Sequence, residues 1–399
     1  MTVRKVAAAR GARPGTWMLA VTALALLLAG CGADDKVPAP TAATYPLDDT
    51  LRLNQIQVLG THNSYHVQAR PALFAWLLKF DRSLAQTLEY SEAPLDVQFA
   101  AQGVRQIELD VFADPAGGLF ANRAGLRYAK EDTASGIPEL DQPGFKVLHV
   151  QDLDFESTCW TFVSCLRTVK QWSDATPGHV PLMIQIEAKD GTIPIRNSAI
   201  PVPIDATQLD ALDAEIRSVF PPGQLITPDE VRGGRASLED AIRTVGWPTL
   251  GATRGRILFT LDNGGTIRDA YVAGHPALAG RILFTDSPPG SPEAAFQKLN
   301  DPIGDFDRIR AAVAAGYIVR TRSDADTVEA RTGDTGPRDA ALASGAQFVS
   351  TDYPVPETKW GTGYLVQIPG GTPARCNPIN APASCTANDI ENPAALATR

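Results

Sequence analysis

Four short stretches carry the residues that could do chemistry: Gly60-Thr61-His62-Asn63-Ser64-Tyr65, Glu108-Leu109-Asp110, Leu148-His149 and Ile184-Gln185-Ile186-Glu187. Each ends a short apolar run. Together they offer two histidines, His62 and His149, and four hard oxygen ligands, Asn63, Glu108, Asp110 and Glu187. Carboxylates gathered in a dry site repel unless a cation sits among them. An all-oxygen set suits calcium, which tolerates irregular coordination and leaves positions for water and substrate. Zinc would normally recruit histidine or cysteine. A cation beside two histidines is equipment for phosphodiester cleavage: displacement at phosphorus needs positioning and positive charge, plus a general acid for the leaving oxygen.

Such residues must be brought together by a scaffold. Strand-like runs fall at 56–59, 104–111, 146–150, 181–187, 256–261, 282–285, 317–320 and 347–350. Helical patterns lie between them, at 94–102, 163–172, 205–220, from 237, at 305–315 and at 335–343. Eight strands alternating with helices predict a single (β/α)8 TIM barrel of the α/β class, whose site gathers where the strands end. An open doubly wound sheet is the runner-up, weakened because no glycine-rich phosphate fingerprint follows the first strand. Two long connections, 112–145 and 188–204, would lie on the C-terminal face and shape the site. The spacing of two between Glu108 and Asp110 puts both on one strand face. The apolar cluster within 72–80 reads as cover for one end of a core, with a membrane-resting role as the alternative.

The order His-Asn-Ser-Tyr, Glu-x-Asp, His, Glu resembles the calcium-dependent phosphoinositide-specific phospholipases C, bacterial members above all, over about residues 54–353. The resemblance implies that Asn63, Glu108, Asp110 and Glu187 hold Ca2+. It implies that His62 contacts the phosphoryl oxygens and that His149 protonates the departing diacylglycerol oxygen. The inositol 2-hydroxyl would attack, Glu187 or Glu108 would take its proton, and a cyclic inositol phosphate would form first. Eukaryotic members carry lysines on the fifth strand, whereas here it reads Ile257-Leu258-Phe259-Thr260-Leu261-Asp262, so unphosphorylated phosphatidylinositol is the expected substrate. Lys189 and Arg320 are the basic candidates for headgroup binding. His66, His179 and His275 fall outside this constellation and read as surface or structural.

The rival enzyme is a glycerophosphodiester phosphodiesterase or a sphingomyelinase-D-like relative, which Thr351-Asp352-Tyr353-Pro354 resembles. A non-catalytic headgroup-binding lipoprotein is the alternative of a different class.

The N-terminus reads as an export signal. Arg4, Lys5, Arg10 and Arg13 precede an apolar stretch, and Leu28-Ala29-Gly30-Cys31 resembles a bacterial lipobox with Cys31 as the lipidated residue. The expected layout is a signal peptide over 1–30, a flexible tether over 31–50, the catalytic barrel over 51–360 and a disulfide-stapled tail over 361–399. The product would be an exported, membrane-anchored lipoprotein meeting its phospholipid at a membrane surface. Loss of the four basic residues in 1–30 takes the formal charge from −9 to about −13, which argues against nucleic acid as a partner. Among three possible connectivities of the remaining cysteines, the local pairs Cys159–Cys165 and Cys376–Cys385 are the simplest.

Overall fold

The computed structural model describes residues 45–391, all within the compact unit Pro40–Arg399. Cys31 and the expected signal peptide lie outside the described residues.

Among the described residues eleven strands form one curled sheet: β1 (Ile56–Thr61), β2 (Gln106–Phe112), β3 (Lys146–Val147), β4 (Leu182–Ala188), β5 (Leu225–Ile226), β6 (Ile257–Leu261), β7 (Leu283–Thr285), β8 (Phe296–Lys298), β9 (Ile318–Arg322), β10 (Phe348–Thr351) and β11 (Ala374–Cys376). Eight of them run parallel around the curl, in the order β7, β6, β4, β2, β1, β10, β9, β8. The seam between β7 and β8 carries a single parallel bridge, Asp286 to Phe296, so the barrel is not fully closed. The staves are buried almost throughout. Apolar side chains of β2 and β4, such as Ile107, Leu109, Ile184 and Ile186, join the main core, while the residues between them face the other way.

Two staves differ from the sequence expectation. The run at 146–150 is not inserted between β2 and β4, which pair directly; its β3 portion lies antiparallel on the rim of β2, Val147 opposite Val111. Phe296–Lys298, too short to stand out in the sequence, supplies the eighth stave instead. The helices fall close to their predicted places, with Thr161, Asp205 and Ser237 capping theirs through their side chains. The tether ends sooner than expected: residues 45–50 fold into turns, and Asp48 pairs with Arg254 at 2.7 Å.

Beyond residue 360 the chain stays in the same core. Tyr364, Val366, Ile368, Ala374 and Ile390 are buried there, and β11 pairs antiparallel with β1. Both expected disulfides are formed, Cys159–Cys165 and Cys376–Cys385. Glu391 is wholly buried, receives two hydrogen bonds from the Arg105 Nε and one from the Val180 amide, and so closes the end of the barrel opposite the site. His179 beside it is buried too, with Nε2 on Ser173 at 2.8 Å.

Burial raises the Glu391 pKa, but Arg105, His179 and the Val180 amide together outweigh it, and the carboxyl ends below its ordinary value. Burial pushes His179 down to about 4 from 6.5. Both shifts have one sign: the unfolded chain binds more protons, so stability is lost as pH falls, from about 6.5 toward 4 for His179 and below about 4.5 for Glu391. Glu391→Gln should destabilise by about 3–5 kcal/mol at pH 7, since it strands a buried guanidinium. Urea melts of both proteins across this pH range check the prediction; equal midpoints at pH 7 would remove it.

Candidate active site

The register of the staves assembles the site. Pairing of β2 with β4 sets Glu108 beside Gln185 and Asp110 beside Glu187. Pairing of β1 with β10 sets Thr61 beside Thr351, so His62 and Asp352 follow side by side. Gly60 is needed where β1 passes β2, because a Cβ there would lie 1.8 Å from the Gln106 Oε1. Asn63 has φ 44°, a left-handed turn that asparagine tolerates, and this turn separates its side chain from that of His62. Ser64 then pins the loop to β2: its amide donates to the Glu108 carbonyl at 3.0 Å and its Oγ accepts from the Glu108 amide at 2.8 Å. Tyr65 drops into the core.

Glu108, Asp110 and Glu187 bring carboxylate oxygens within 4.8 Å of one another. Two of them are each half occupied by a fixed cation. Arg320 donates to the Glu108 Oε2, and Lys189 donates to the Asp110 Oδ2 at 2.8 Å. The Asp110 Oδ1 and the Asn63 Oδ1 are buried without a partner. Orphaned buried oxygens beside a carboxylate cluster are what a divalent ion would satisfy, and their all-oxygen chemistry fits calcium. Burial, opposed by Arg320 and reinforced by Asp262, pushes Glu108 up to about 8. Burial, then Asp110, pushes Glu187 up to about 7.

Each catalytic-candidate histidine leans on an aspartate. His62 donates from Nδ1 to the Asp352 Oδ1 at 2.9 Å, and Arg322 reaches its Nε2 at 3.3 Å. Burial, then Arg322, holds the His62 pKa well below its ordinary value, so the ring is neutral. Asp352 is fixed in turn by its amide donating to the Asp324 Oδ1 at 2.9 Å. His149 donates from Nδ1 to the Asp154 Oδ2 at 2.8 Å. Because β3 runs back along β2, the residues after Val147 return toward the level of Asp110, and His149 reaches the carboxylates from a loop rather than from a stave.

Glu108, Asp110 and Glu187 lie within reach of one another, and the charges on Asp110 and His149 both act on His62. The two basic headgroup candidates are engaged with carboxylates. Arg320 is 1% exposed and holds Glu108 and Asn300, so it does not face a headgroup. Lys189 is engaged with Asp110 and, at 3.5 Å, Glu187. His66, expected at the surface or in a structural role, has the latter: it is fully buried, shares Asp154 with His149 at 2.9 Å, and stacks on Tyr90 at 4.4 Å. The trio His66, His149 and Asp154 is accounted for by these hydrogen bonds, with the carboxylate accepting from both rings. Arg322 and Asp352 were missed as partners of His62; their two-residue phase with Arg320 and their position past β10 were the available signals. His179 and His275 are structural, the latter bonded to the Ala279 carbonyl at 2.8 Å.

An α/β barrel that gathers hard oxygens and two aspartate-supported histidines at one rim is built as a metal-dependent phosphodiesterase. Over residues 51–378 the sequence matches the family described as phosphoinositide phospholipase C, Ca2+-dependent, and the chain belongs to that family of calcium-requiring phosphoric diester hydrolases. Among solved structures it is similar to the calcium-dependent phosphoinositol-specific phospholipase C of the Gram-negative bacterium Pseudomonas sp., at 16% identity and TM-score 0.51 over 84% of this chain and 98% of that one. The same enzyme in its myo-inositol complex matches at 16% identity and TM-score 0.50, over the same 84% and 98%. The phosphatidylinositol-specific phospholipase C of Streptomyces antibioticus matches at 18% identity and TM-score 0.46, over 76% of this chain and 95% of that one. Comparison with curated proteins gives no match.

Asp154→Asn should lower kcat by about 10²–10⁴-fold with little change in KM, because it misorients the His149 ring without touching the headgroup. Steady-state kinetics on a soluble phosphodiester decide it; a fall confined to KM would contradict the geometry.

Proposed function

We propose that the protein cleaves the glycerol–phosphate bond of unphosphorylated phosphatidylinositol, releasing diacylglycerol and an inositol phosphate by way of the cyclic phosphate. The observation that carries this is the half-occupied carboxylate set, Glu108 and Asp110 each keeping one oxygen free beside the orphaned Asn63 Oδ1, with both histidines at the same rim. Asn63, Glu108, Asp110 and Glu187 would hold the calcium ion. When bound, calcium would acidify the inositol 2-hydroxyl and offset the charge that builds on the phosphoryl oxygens.

The chain's own groups do the rest. Glu187 is the better proton acceptor of the two glutamates: its side chain is 34% exposed and its cation, Lys189, stands off at 3.5 Å, whereas Glu108 is clamped by Arg320. Arg322 donates to the phosphoryl oxygens, and His62 beside it joins as a donor once the substrate's negative charge draws a proton onto its Nε2. His149 delivers a proton to the glycerol oxygen, its Nδ1 tied to Asp154 so that Nε2 is the donating nitrogen. The myo-inositol complex of the Pseudomonas enzyme supports an inositol headgroup. The absence of a lysine on β6, and the engagement of Lys189 and Arg320 with carboxylates, support a headgroup without extra phosphates.

The basic and apolar segments ahead of Cys31 support a further reading: the chain is exported and lipid-anchored at that cysteine, which would hold the barrel beside its substrate. One acyl chain binds a membrane only marginally, and multiple chains hold firmly.

Phosphorus NMR of the products should show a cyclic inositol phosphate from phosphatidylinositol, none with a calcium chelator, and none from the His149→Ala variant. Release of glycerol phosphate from glycerophosphocholine instead would transfer the enzyme to the rival class. Turnover of phosphatidylinositol should exceed that of its 4,5-bisphosphate by at least about tenfold, the worth of one missing charge-assisted contact; parity in a mixed-vesicle assay would contradict the headgroup assignment.

A further inference from the structure

Lys189 stands two residues beyond Glu187 and therefore on the same strand face, its amide continuing the ladder onto the Val111 carbonyl at 2.9 Å. Its ammonium is 2.8 Å from the Asp110 Oδ2 and 3.5 Å from the Glu187 Oε2, with the side chain 22% exposed. Arg320 does the same for Glu108 from across the barrel, at 1% exposure. Each cation takes one oxygen of its carboxylate, and the partnerless Asp110 Oδ1 shows that the other is kept back. With all three carboxylates ionised, as holding an ion through their oxygens requires, Glu108, Asp110 and Glu187 bring three negative charges to the cluster, and Arg320 and Lys189 return two positive ones. An incoming divalent ion therefore meets a net charge of −1 rather than −3.

Resting on the calcium reading above, we propose that Lys189 is a tethered counter-ion that keeps the carboxylates assembled without the metal and weakens the site for calcium, so that it fills only at calcium levels on the order of 10⁻⁴–10⁻³ M. Ligand charge count is the main lever on calcium affinity, and that range belongs to sites working outside cells. The lysine is fitted for this role. It is permanently charged, it is anchored by backbone pairing rather than by a loop, and it approaches Asp110 from the side that leaves Oδ1 open. Arg320 contributes equally to the charge count, but its burial ties it to the fold, so Lys189 is the residue at which affinity can be changed separately.

Calcium titration calorimetry of the purified protein tests this. Wild type should bind with Kd on the order of 10⁻⁴–10⁻³ M. Lys189→Met should bind at least about tenfold more tightly, the least that loss of a full neighbouring charge implies at an effective dielectric of about 20. Lys189→Arg should stay within about twofold of wild type, because the charge rather than the shape sets the affinity. Should Lys189→Met fail to fold, Lys189→Gln removes the same charge with a polar chain. In chelator the neutral variant should melt below wild type, and added calcium should raise its Tm further than it raises that of wild type. Equal or weaker calcium binding by the neutral variants overturns the proposal, and so does an Lys189→Arg protein that binds as tightly as Lys189→Met. A wild-type protein that takes up no calcium at any concentration sinks the metal assignment itself, an outcome separate from a Lys189 that fails to tune it.

Discussion

The structure is organised around like-charge repulsion in a dry place. Register alone forces Asp110 and Glu187 side by side on neighbouring staves, with Glu108 one step below. Glu108 and Asp110 are shut away from the water that would screen them, and a folded chain that did nothing further would be destabilised at its own functional rim. The protein answers with fixed cations at the periphery of the cluster and an open centre. Arg320 and Lys189 neutralise from the flanks, and the inner oxygens are kept back. The β2–β4 ladder that creates the repulsion is also one of the most deeply buried parts of the sheet, so the staves are held from outside the site, by Ile107, Leu109, Ile184 and Ile186 packing on the surrounding core. Stability and chemistry are divided between the two faces of the same strands.

The two histidines follow the same rule with opposite charge. Each imidazole gives Nδ1 to a buried aspartate and so has one fixed tautomer and one working nitrogen. Asp352 is fixed by its own backbone amide bonding to Asp324, while Asp154 is fixed by serving two rings at once. Neither aspartate touches the carboxylates that would hold the ion. The negative charge that orients the acid and phosphoryl-contact groups is kept apart from the negative charge that attracts the metal.

What the sequence could and could not tell follows from range. The His-Asn-Ser-Tyr and Glu-x-Asp runs were legible because their spacing is local: a period of two assigns a face, and a strand end assigns a rim. The helices were legible for the same reason, through caps such as Asp205 and Ser237. The run at 146–150 reads as a stave in the sequence and Phe296–Lys298 does not, because a two-residue arm such as Lys146–Val147 and a three-residue stave are defined by what they pair with. Arg320 and Lys189 looked like free basic residues because a one-dimensional reading has no way to see that a carboxylate more than two hundred residues away, Glu108, already claims the former. His66 was set aside on similar grounds: its role depends on Asp154, which only the returning loop brings within reach.

That loop shows how the site is divided mechanically. The groups that would hold the ion and contact the phosphoryl oxygens sit on or just past barrel staves, but His149 does not. Its neighbours Leu148, Leu153 and Phe155 belong to a second apolar cluster, built from rim segments with Leu73, Phe74, Leu77, Phe120, Leu126 and Ile195, separate from the barrel core. The helix Pro71–Phe80 is thus cover for this smaller core, with Trp76 stacked on Tyr128 at 4.3 Å. Placing the acid on an independent body would leave its distance from the ion site uncontrolled if nothing joined the two. The join is the stretch after Tyr65. The Thr158 amide bonds to the Tyr65 carbonyl at 2.8 Å and the Val67 amide to the Glu156 carbonyl at 3.2 Å. Between these bonds His66 grips Asp154, the aspartate of the acid, and stacks on Tyr90, whose hydroxyl accepts from the Asn63 Nδ2 at 3.3 Å. Ion-site loop and acid loop are therefore splinted by backbone pairing on one side and by a buried ring on the other. This explains why a histidine with no place in the reaction is among the least exposed residues of the rim.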